Sequence, residues 1–281
     1  MPLDVWGHAQ RELQSIVSTL SYDRIGYGTL NRSVYTQGWS SPSFDRKRPI
    51  STMVHDLYLV LKELGVLEDL KDRIQLKKRL ILVGHSFGGI VAKAFSDQYN
   101  VPLAGLILLD IPPRALIQST PKLMDMYTLR LPRIFSIAAS LADIGILRIA
   151  QRFGVTLFQV TDLMKSRLTA DEIDSIREFS IDGKSMRSAE AELRGFVEYI
   201  QQAPSERDAK SFRVSVIAAE AVQPIMGESN DGTWKEKWMD AQKQLSSSFP
   251  KGELIVDTEC ESMSLCVSTR ITTAVKRMIE S

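Results

Sequence analysis

The chain has 281 residues, of which 44% are apolar, so it is long enough to bury a large core. Its 35 Lys and Arg residues offset 34 Asp and Glu residues, and the formal net charge of +1 excludes the strongly basic surface typical of proteins that bind nucleic acids. The two cysteines, Cys260 and Cys266, are too few for a disulfide framework, and we expect them to be reduced packing residues.

The location of the protein is indicated by its first residues and by its most apolar window. Residues 1–6 lack the cationic stretch and apolar core of a signal peptide. The window 134–149 is the most apolar, but Asp143 and Arg148 interrupt it, and it is shorter than a membrane span. We therefore expect a cytoplasmic protein without a membrane span.

The first part of the chain contains two helical patterns and two β-prone runs. Residues 6–13 have the spacing of a short amphipathic helix, and the β-prone run 16–20 follows. The segment 51–64 again places apolar residues at helical spacing, and Gly65 closes it. The run 80–83 is short and wholly apolar, which predicts a buried strand.

The heptapeptide 83–89, Val-Gly-His-Ser-Phe-Gly-Gly, joins this strand to a helical pattern. A Gly-x-Ser-x-Gly motif between a strand and a helix is typical of a nucleophile elbow. Gly84 and Gly88 have no side chains because the strand and the helix approach closely at such a turn. Ser86 is then expected at the apex, where its hydroxyl can reach a substrate carbonyl, and His85 is expected to be a structural residue of the turn.

The rest of the chain contains three further strand patterns and a long helical block. The runs 103–110, 212–218 and 253–256 predict buried strands, and a final helix is predicted at 270–279. Between the second and third strands, residues 121–204 have only helical spacing. Apolar strands separated by helices predict an α/β protein with a mostly parallel sheet and an inserted helical cap.

Three segments together resemble the core of the α/β-hydrolase superfamily, and most closely its branch of small ester, lactone and epoxide hydrolases. They are the turn Tyr-Asp-Arg-Ile-Gly-Tyr-Gly at 22–28, the elbow Gly-His-Ser-Phe-Gly-Gly at 84–89, and the strand Gly-Leu-Ile-Leu-Leu-Asp at 105–110. Within the first segment, Arg24 and Tyr27 could shape a pocket, but an arginine beside a glycine-rich turn is more often structural.

The resemblance implies a core formed by residues 1–120 and 205–281, with the cap at 121–204. In the family, a strand ending in His-Gly precedes the helix that 6–13 resembles, and its loop supplies an oxyanion-hole N–H group. This chain starts only a few residues before that helix, so we expect a truncated α/β-hydrolase fold that lacks N-terminal strands. The Phe87 N–H group is then the remaining oxyanion donor, and exposed sheet edges would permit self-association.

The resemblance also implies a catalytic histidine that this sequence does not place. The family carries it in the loop after the last strand, here 257–264, where Ser262 or an adjacent residue stands instead. The three histidines of the chain are His8, His55 and His85, and we expect none of them to be the base. A serine hydroxyl without an adjacent base is a weak nucleophile, and loss of the histidine from a serine-protease triad costs about a million-fold in turnover.

The catalytic acid has candidates at two places. The family usually carries it just beyond the strand that 212–218 resembles, where Glu220 is nearest and Glu228 and Asp231 follow, but some relatives use the end of the preceding strand, where Asp110 lies. The sequence leaves the choice open, and Glu228 and Asp231 lie outside the residues that the structure describes. No Cys/His cluster has metal-ligand spacing and the elbow lacks the Lys-Ser/Thr of a phosphate loop, so we expect neither a metal nor a cofactor.

Together these patterns predict a protein of serine carboxylic-ester hydrolase ancestry whose ligand is a small apolar ester, thioester or lactone. Ser86 is its expected nucleophile, and the absent histidine predicts impaired activity. Two alternatives are a non-catalytic pseudoenzyme that binds a ligand or partner, and a truncated gene product. The absent histidine favours these alternatives, whereas the intact elbow favours a working hydrolase.

Overall fold

Four parallel strands form one sheet in the part of the chain that the structure describes. This computed structural model describes residues 2–27, 47–67, 80–156, 158–201, 212–221 and 233–280. The strands are β1 (Leu80–His85), β2 (Leu103–Leu109), β3 (Arg213–Ala221) and β4 (Gly252–Glu261), and their order in the sheet is β1-β2-β3-β4. The predicted α/β fold with a mostly parallel sheet is confirmed.

The core of the sheet lies in its two inner strands. Residues 106–109 of β2 are all completely buried, as are Val214, Val216 and Ile217 of β3. Each such side chain contributes about 1.5–3 kcal/mol by leaving water. The wholly apolar runs therefore mark strands that are covered on both faces, as parallel strands usually are.

The described part of the chain contains twelve α-helices. They are α1 (Gly7–Leu13), α2 (Ile50–Glu63), α3 (Phe87–Gln98), α4 (Arg114–Ser119), α5 (Pro121–Asp125), α6 (Leu131–Asp143), α7 (Ile146–Arg152), α8 (Asp162–Arg167), α9 (Ala170–Phe179), α10 (Gly183–Gln201), α11 (Thr233–Ser247) and α12 (Thr269–Ile279). Short 3-10 helices occupy Leu3–Trp6 and Ser262–Val267, and a π-helical turn occupies Met126–Arg130.

One predicted element is wrong. The β-prone run 16–20 forms no strand, and its Ile16 and Leu20 side chains are 39% and 54% exposed. The propensity of β-branched residues is realised only where a neighbouring strand and a buried face are available. The run instead follows the end of α1, where the N–H groups of Ile16 and Val17 donate to the carbonyl of Leu13.

The chain divides into two compact units. The first comprises Met1–Asp56 and Leu123–Gln201, and the second comprises Leu57–Lys122 and Gln202–Ser281. All four strands and the Gly-x-Ser-x-Gly turn belong to the second unit, whereas α6 and α10 pack together in the first through Ala138, Ala139 and Met186. The separation of 121–204 as a cap domain stays a prediction.

Candidate active site

Ser86 is the single residue between the end of β1 and the start of α3. Its backbone conformation is one that L-residues rarely adopt. Its φ is 50° and its ψ is −121°. Its N–H group donates to the carbonyl of Leu109 at 2.8 Å, and its own carbonyl accepts from the N–H group of Gly89 at 3.0 Å. Such strain costs about 1–3 kcal/mol and persists only where the surroundings enforce it, often at functional sites.

The closeness of strand and helix explains the glycines of the turn. A Cβ atom on Gly84 would lie 2.6 Å from the carbonyl oxygen of Gly88 and from the Cα atom of Gly89. A Cβ atom on Gly89, which the motif alone does not single out, would lie 2.1 Å from Cγ2 of Ile111. Both positions therefore exclude side chains, as a nucleophile elbow requires.

Phe87 is the first residue of α3, so the positive end of this 12-residue helix lies next to Ser86. The N–H groups in the first turn of a helix have no intrahelical acceptor, and the helix dipole favours negative charge there. An oxyanion that formed on a substrate bound at Ser86 would develop beside this end of the helix.

Asp110 lies immediately after β2, and its carboxyl group is almost completely buried. The residue is 2% exposed and has a φ of 44°, and its Oδ1 atom accepts a 3.0 Å hydrogen bond from Nε1 of Trp238. Burial raises the pKa of this carboxyl, although the neighbouring Ser262 hydroxyl and Trp238 partly offset the rise. Oδ2 has no partner at hydrogen-bond geometry among the described residues.

Glu220, the other candidate acid, has a different environment. It is an exposed residue of β3, and its Oε1 atom lies 3.2 Å from Nζ of Lys235 on α11. The two side chains are 48% and 47% exposed, so this ion pair contributes at most about 1 kcal/mol. Of the two carboxylates, Asp110 is buried and oriented by a hydrogen bond, whereas Glu220 lies at the surface.

Ser262 and His85 meet where the strands end. Ser262 follows the last residue of β4, and its carbonyl oxygen lies 2.9 Å from Nε2 of His85. Because a carbonyl only accepts, this contact assigns the proton to Nε2. Burial lowers the pKa of His85 to about 4, so the ring is neutral at physiological pH. The carboxyl ends of β1, β2 and β4 thus bring His85, Asp110 and Ser262 together.

Two residues of α11 support this site and were missed by sequence reasoning. Trp238 orients Asp110, and Nε2 of Gln242 donates to the carbonyl of Ile111 at 2.8 Å. Gln242 is completely buried. The two residues are four apart, so they share one face of the helix, and a glutamine on an otherwise apolar face was the available signal.

The segment after β4 is held by a second buried carboxylate. Asp257 Oδ1 accepts from the N–H groups of Glu259 and Cys260 at 2.9 and 3.0 Å, and Oδ2 accepts from the Ser268 hydroxyl. Burial raises the pKa of Asp257, but these hydrogen bonds outweigh burial and the net shift is downward. Sequence analysis places Asp257 in the loop 257–264 and assigns it no role. In the structure, the Asp257 carboxylate fixes the chain on both sides of Ser262.

Arg24 and Tyr27 are structural residues of the first unit. Nε and Nη2 of Arg24 both donate to the carboxylate of Glu192 on α10 at 2.8 Å, and the Tyr27 hydroxyl donates to the same carboxylate at 2.8 Å. Gly26 has a φ of 98°, and a Cβ atom there would lie 2.2 Å from the Ser188 hydroxyl. The last glycine of the 22–28 motif lies outside the described residues.

The cysteines and the other possible ligands add no second site. Cys260 and Cys266 are buried free thiols, and burial raises the pKa of Cys266 to about 12. Within the described ranges, no group of three or more His, Cys, Asp or Glu residues is arranged to hold a metal ion.

Solved structures with the same overall fold include several hydrolases. An esterase from Thermogutta terrifontis, solved with malate bound, is 18% identical, with a TM-score of 0.62 over 100% of this chain and 86% of that one. MenH from S. aureus is 15% identical, with a TM-score of 0.57 over 99% and 89%. An epoxide hydrolase from Bacillus megaterium is 15% identical, with a TM-score of 0.57 over 100% and 90%. At these identities the likeness shows the fold alone.

Sequence comparison identifies the family. The abhydrolase domain-containing protein abhd-5.2 of Caenorhabditis elegans is 26% identical over 153 residues, which are 54% of this chain and only 30% of that relative. The model of the alpha/beta hydrolase family matches residues 3–251. With its strand order, its tight Gly-x-Ser-x-Gly turn and this match over most of its length, the chain belongs to the alpha/beta hydrolase family.

Proposed function

We propose that this protein binds a small apolar ester, thioester or lactone at Ser86 and hydrolyses it poorly, because no base activates the serine. The observation that carries the proposal is the contact between His85 and Ser262 beside Asp110. In a working triad, an imidazole in the loop after the last strand connects the nucleophile to the buried acid. Here that loop starts with Ser262, and one oxygen of Asp110 has no hydrogen-bond partner among the described residues.

Asp110 is the residue we assign to the place of the catalytic acid. It is buried, it follows β2, and Trp238 fixes one of its carboxylate oxygens. Glu220 is exposed and already paired with Lys235, so we do not assign it a catalytic role. The Ser262 hydroxyl neighbours the same carboxyl group, at the place where a triad would carry its imidazole.

His85 is a poor substitute for the absent base. Its Nε2 atom is occupied by the carbonyl of Ser262, and burial lowers its pKa to about 4. General bases work best with a pKa near the working pH, so an imidazole with such a low pKa accepts a proton only weakly. We assign His85 to anchoring the loop after β4.

Without a base, the site would be limited to binding the substrate and weakly polarising its carbonyl group. The positive end of α3 would stabilise an oxyanion on a bound carbonyl, but the Ser86 hydroxyl would keep its proton during attack. Loss of the histidine alone costs about a million-fold in turnover where it has been measured.

The second candidate function is a purely non-catalytic binding protein. The hydrogen bond that ties His85 to Ser262 favours it, because it fixes the loop without supplying a base. The two candidates differ in what Ser86 does, since binding alone does not require its hydroxyl.

The reduced, buried cysteines are consistent with the cytoplasmic location that we also propose.

Turnover of a p-nitrophenyl butyrate substrate tests the proposal. We expect the native protein to hydrolyse it at most slightly faster than the Ser86→Ala variant. Ser262→His should raise the rate by about a hundredfold or more, because a positioned general base typically contributes that much. Ser262→Asn is the matched control, since it adds similar bulk without a base.

Two results would contradict the proposal. Rapid native hydrolysis that Ser86→Ala abolishes would mean that an unidentified base already serves Ser86. No gain in folded Ser262→His would mean that position 262 does not stand in place of the family's histidine.

A further inference from the structure

Exposed apolar side chains concentrate on one stretch of the first unit. Of the twelve large hydrophobic residues that are exposed in the described chain, half lie between residues 137 and 155. We call these six residues the apolar face: Ile137, Ile144, Ile146, Ile149, Phe153 and Val155. Isolated exposed apolar residues are ordinary, whereas several within one short stretch of chain indicate an interaction surface.

The local fold explains why these residues are left outside. Ala138 and Ala139 of α6 pack against Met186 of α10, so Ile137 lies beyond that buried stripe, at 62% exposure. Gly145, with a φ of 80°, turns the chain after α6 and starts α7. None of the residues of α7 is buried. Its Leu147 is partly buried against Ala138, Ala139 and Met186, whereas Ile146 and Ile149 stay exposed.

The spacing within α7 gathers its apolar residues on one side. Ile146, Ile149 and Phe153 are three and four residues apart, so they project from one face of the helix. Phe153, just after the helix, is 82% exposed and is the most exposed large hydrophobic residue among those described. Ile149 is 61% exposed.

Three arginines lie in or next to the stretch that carries the apolar face. Arg133, Arg148 and Arg152 are exposed, and none of them forms a hydrogen bond or an ion pair within the described ranges. The two nearby aspartates are already engaged, Asp125 by Arg130 and Asp143 by Arg187. The chain as a whole has a net charge of only +1, so this is a local concentration of positive charge.

No single helix among the described residues is long and apolar enough to cross a bilayer. Pro121–Asp143 and Ile146–Arg152 reach the necessary length and composition only when taken together, across a bend of 87°. Apolar residues beside arginines, on helices too short to span, are typical of segments that lie in the interface of a membrane.

We propose that the apolar face docks this protein on the surface of an anionic lipid bilayer. Ile149 and Phe153 enter the boundary between head groups and acyl chains, and Arg148 and Arg152 contact the lipid phosphates. Arginine suits this position because its stem packs against apolar groups while its guanidinium reaches the head groups. The proposal does not depend on Ser86 being catalytic.

A second copy of the chain is a less suitable occupant. A symmetric contact places the same surface of both copies together. Three arginines of each copy would then meet without acidic partners, and like charges brought together oppose binding. An anionic surface instead satisfies both the apolar residues and the arginines.

Sedimentation of the full-length protein with vesicles tests this inference. The vesicles contain either phosphatidylcholine alone or phosphatidylcholine with phosphatidylserine. We expect binding only to the second kind, and Ile149→Glu/Phe153→Glu should weaken it at least about tenfold, since burial of even one such side chain is worth that much. Arg148→Gln/Arg152→Gln should weaken it about fivefold for each charge removed.

The matched control is Leu64→Glu, which changes a residue that is 56% exposed but lies in the other unit. It should bind like the native protein, and circular dichroism checks that every variant is folded. Native protein that fails to bind, or that binds both kinds of vesicle equally, would overturn the inference. So would full binding by Ile149→Glu/Phe153→Glu. A native dimer that this double variant dissociates, without vesicle binding, would assign the apolar face to a second copy.

Discussion

At the scale of the residue, Asp110 connects the geometry of the site to the pH dependence of stability. Folding buries its carboxyl and raises the pKa above the ordinary value of 3.8. A group whose pKa rises on folding stabilises the protein most below its unfolded pKa, and that contribution is lost as the pH rises through the folded pKa. At neutral pH the buried charge therefore opposes folding.

We accordingly expect Asp110→Asn to raise the free energy of unfolding at neutral pH. Asparagine keeps an acceptor for Trp238 and tolerates the positive φ of this position. The gain should shrink as the pH falls towards the ordinary pKa of aspartate, which urea denaturation at several pH values measures.

Asp143→Asn is a control for which we expect the opposite change in the free energy of unfolding. Hydrogen bonds from Arg187 lower the pKa of Asp143, so its stabilising contribution is present above its unfolded pKa and is lost as the pH falls through the folded value. Loss of its charge should lower stability slightly at neutral pH. If Asp110→Asn destabilises the protein at neutral pH, then interactions of the charged carboxylate outweigh its burial.

Individual residues of the site differ in how far sequence predicts them. The position of Ser86 follows from a motif that strand and helix sterics dictate, and Gly84 follows with it. The importance of Trp238 and Gln242 does not, because they reach Asp110 and Ile111 from a helix more than 120 residues away in the chain. The choice between Asp110 and Glu220 likewise depends on burial, which only the folded sheet determines.

At the scale of the element, the salt bridge between Arg24 and Glu192 fixes the 22–27 segment against α10. The Glu192 side chain is 4% exposed and that of Arg24 is 20% exposed. Burial raises the pKa of Glu192, but Arg24 outweighs that effect and the net shift is downward. The charged form is therefore the one that folding favours, and its contribution is lost in acid.

We expect Glu192→Gln to lower the free energy of unfolding by about 3–5 kcal/mol, because it leaves the Arg24 cation buried without a counter-charge. The double variant Arg24→Met/Glu192→Met should lose less than the single variant, since it removes both charges. Chemical denaturation at neutral pH measures all three proteins.

Glu190→Gln provides a matched control on the same helix. Glu190 pairs with Arg194, whose side chain is 56% exposed, so its loss should cost no more than about 1 kcal/mol. Equal costs at 190 and 192 would show that burial adds nothing to the Arg24–Glu192 pair.

Elements with strong apolar periodicity are the ones that sequence places well. The predictions at 51–64 and 270–279 correspond to α2 and α12, and the predicted strands correspond to β1–β4. The failure at 16–20 has a physical reason: five β-prone residues do not make a strand without a neighbour to supply backbone hydrogen bonds.

At the scale of the whole molecule, the strand order makes β2 and β3 the inner strands of the described sheet. Each is paired on both sides, whereas β1 is paired in the described chain only with β2. We expect amide hydrogen exchange to be slowest in β2 and β3, intermediate in β1 and fastest in residues 16–20. Inner strands open only with the global unfolding of their unit.

Exchange in 16–20 that is as slow as in β1 would contradict this order and would indicate a strand pairing that is absent from the described residues.

Self-association through the edge of β1 that has no neighbouring strand among the described residues remains a proposal. It predicts that β1 amides become more protected as the protein concentration rises.

The sequence predicts the architecture of the second unit more completely than that of the first. Parallel strands leave unmistakable apolar runs, and their carboxyl ends necessarily meet at one edge of the sheet. Among the described residues of the first unit the regular elements are helices, whose mutual packing depends on contacts such as Met186 with Ala138 and Ala139. The exposure of the apolar face could not be read from periodicity, because its residues have the composition of a buried helix.

The central claim is that the fold presents Ser86 but supplies no base to activate it. The most direct measurement is the rate at which a fluorophosphonate probe labels the native protein, followed by intact mass, with Ser86→Ala as the control. We predict slow labelling or none, because the attacking hydroxyl keeps its proton. Rapid labelling of the native protein that disappears in Ser86→Ala would contradict the account and restore an active serine hydrolase.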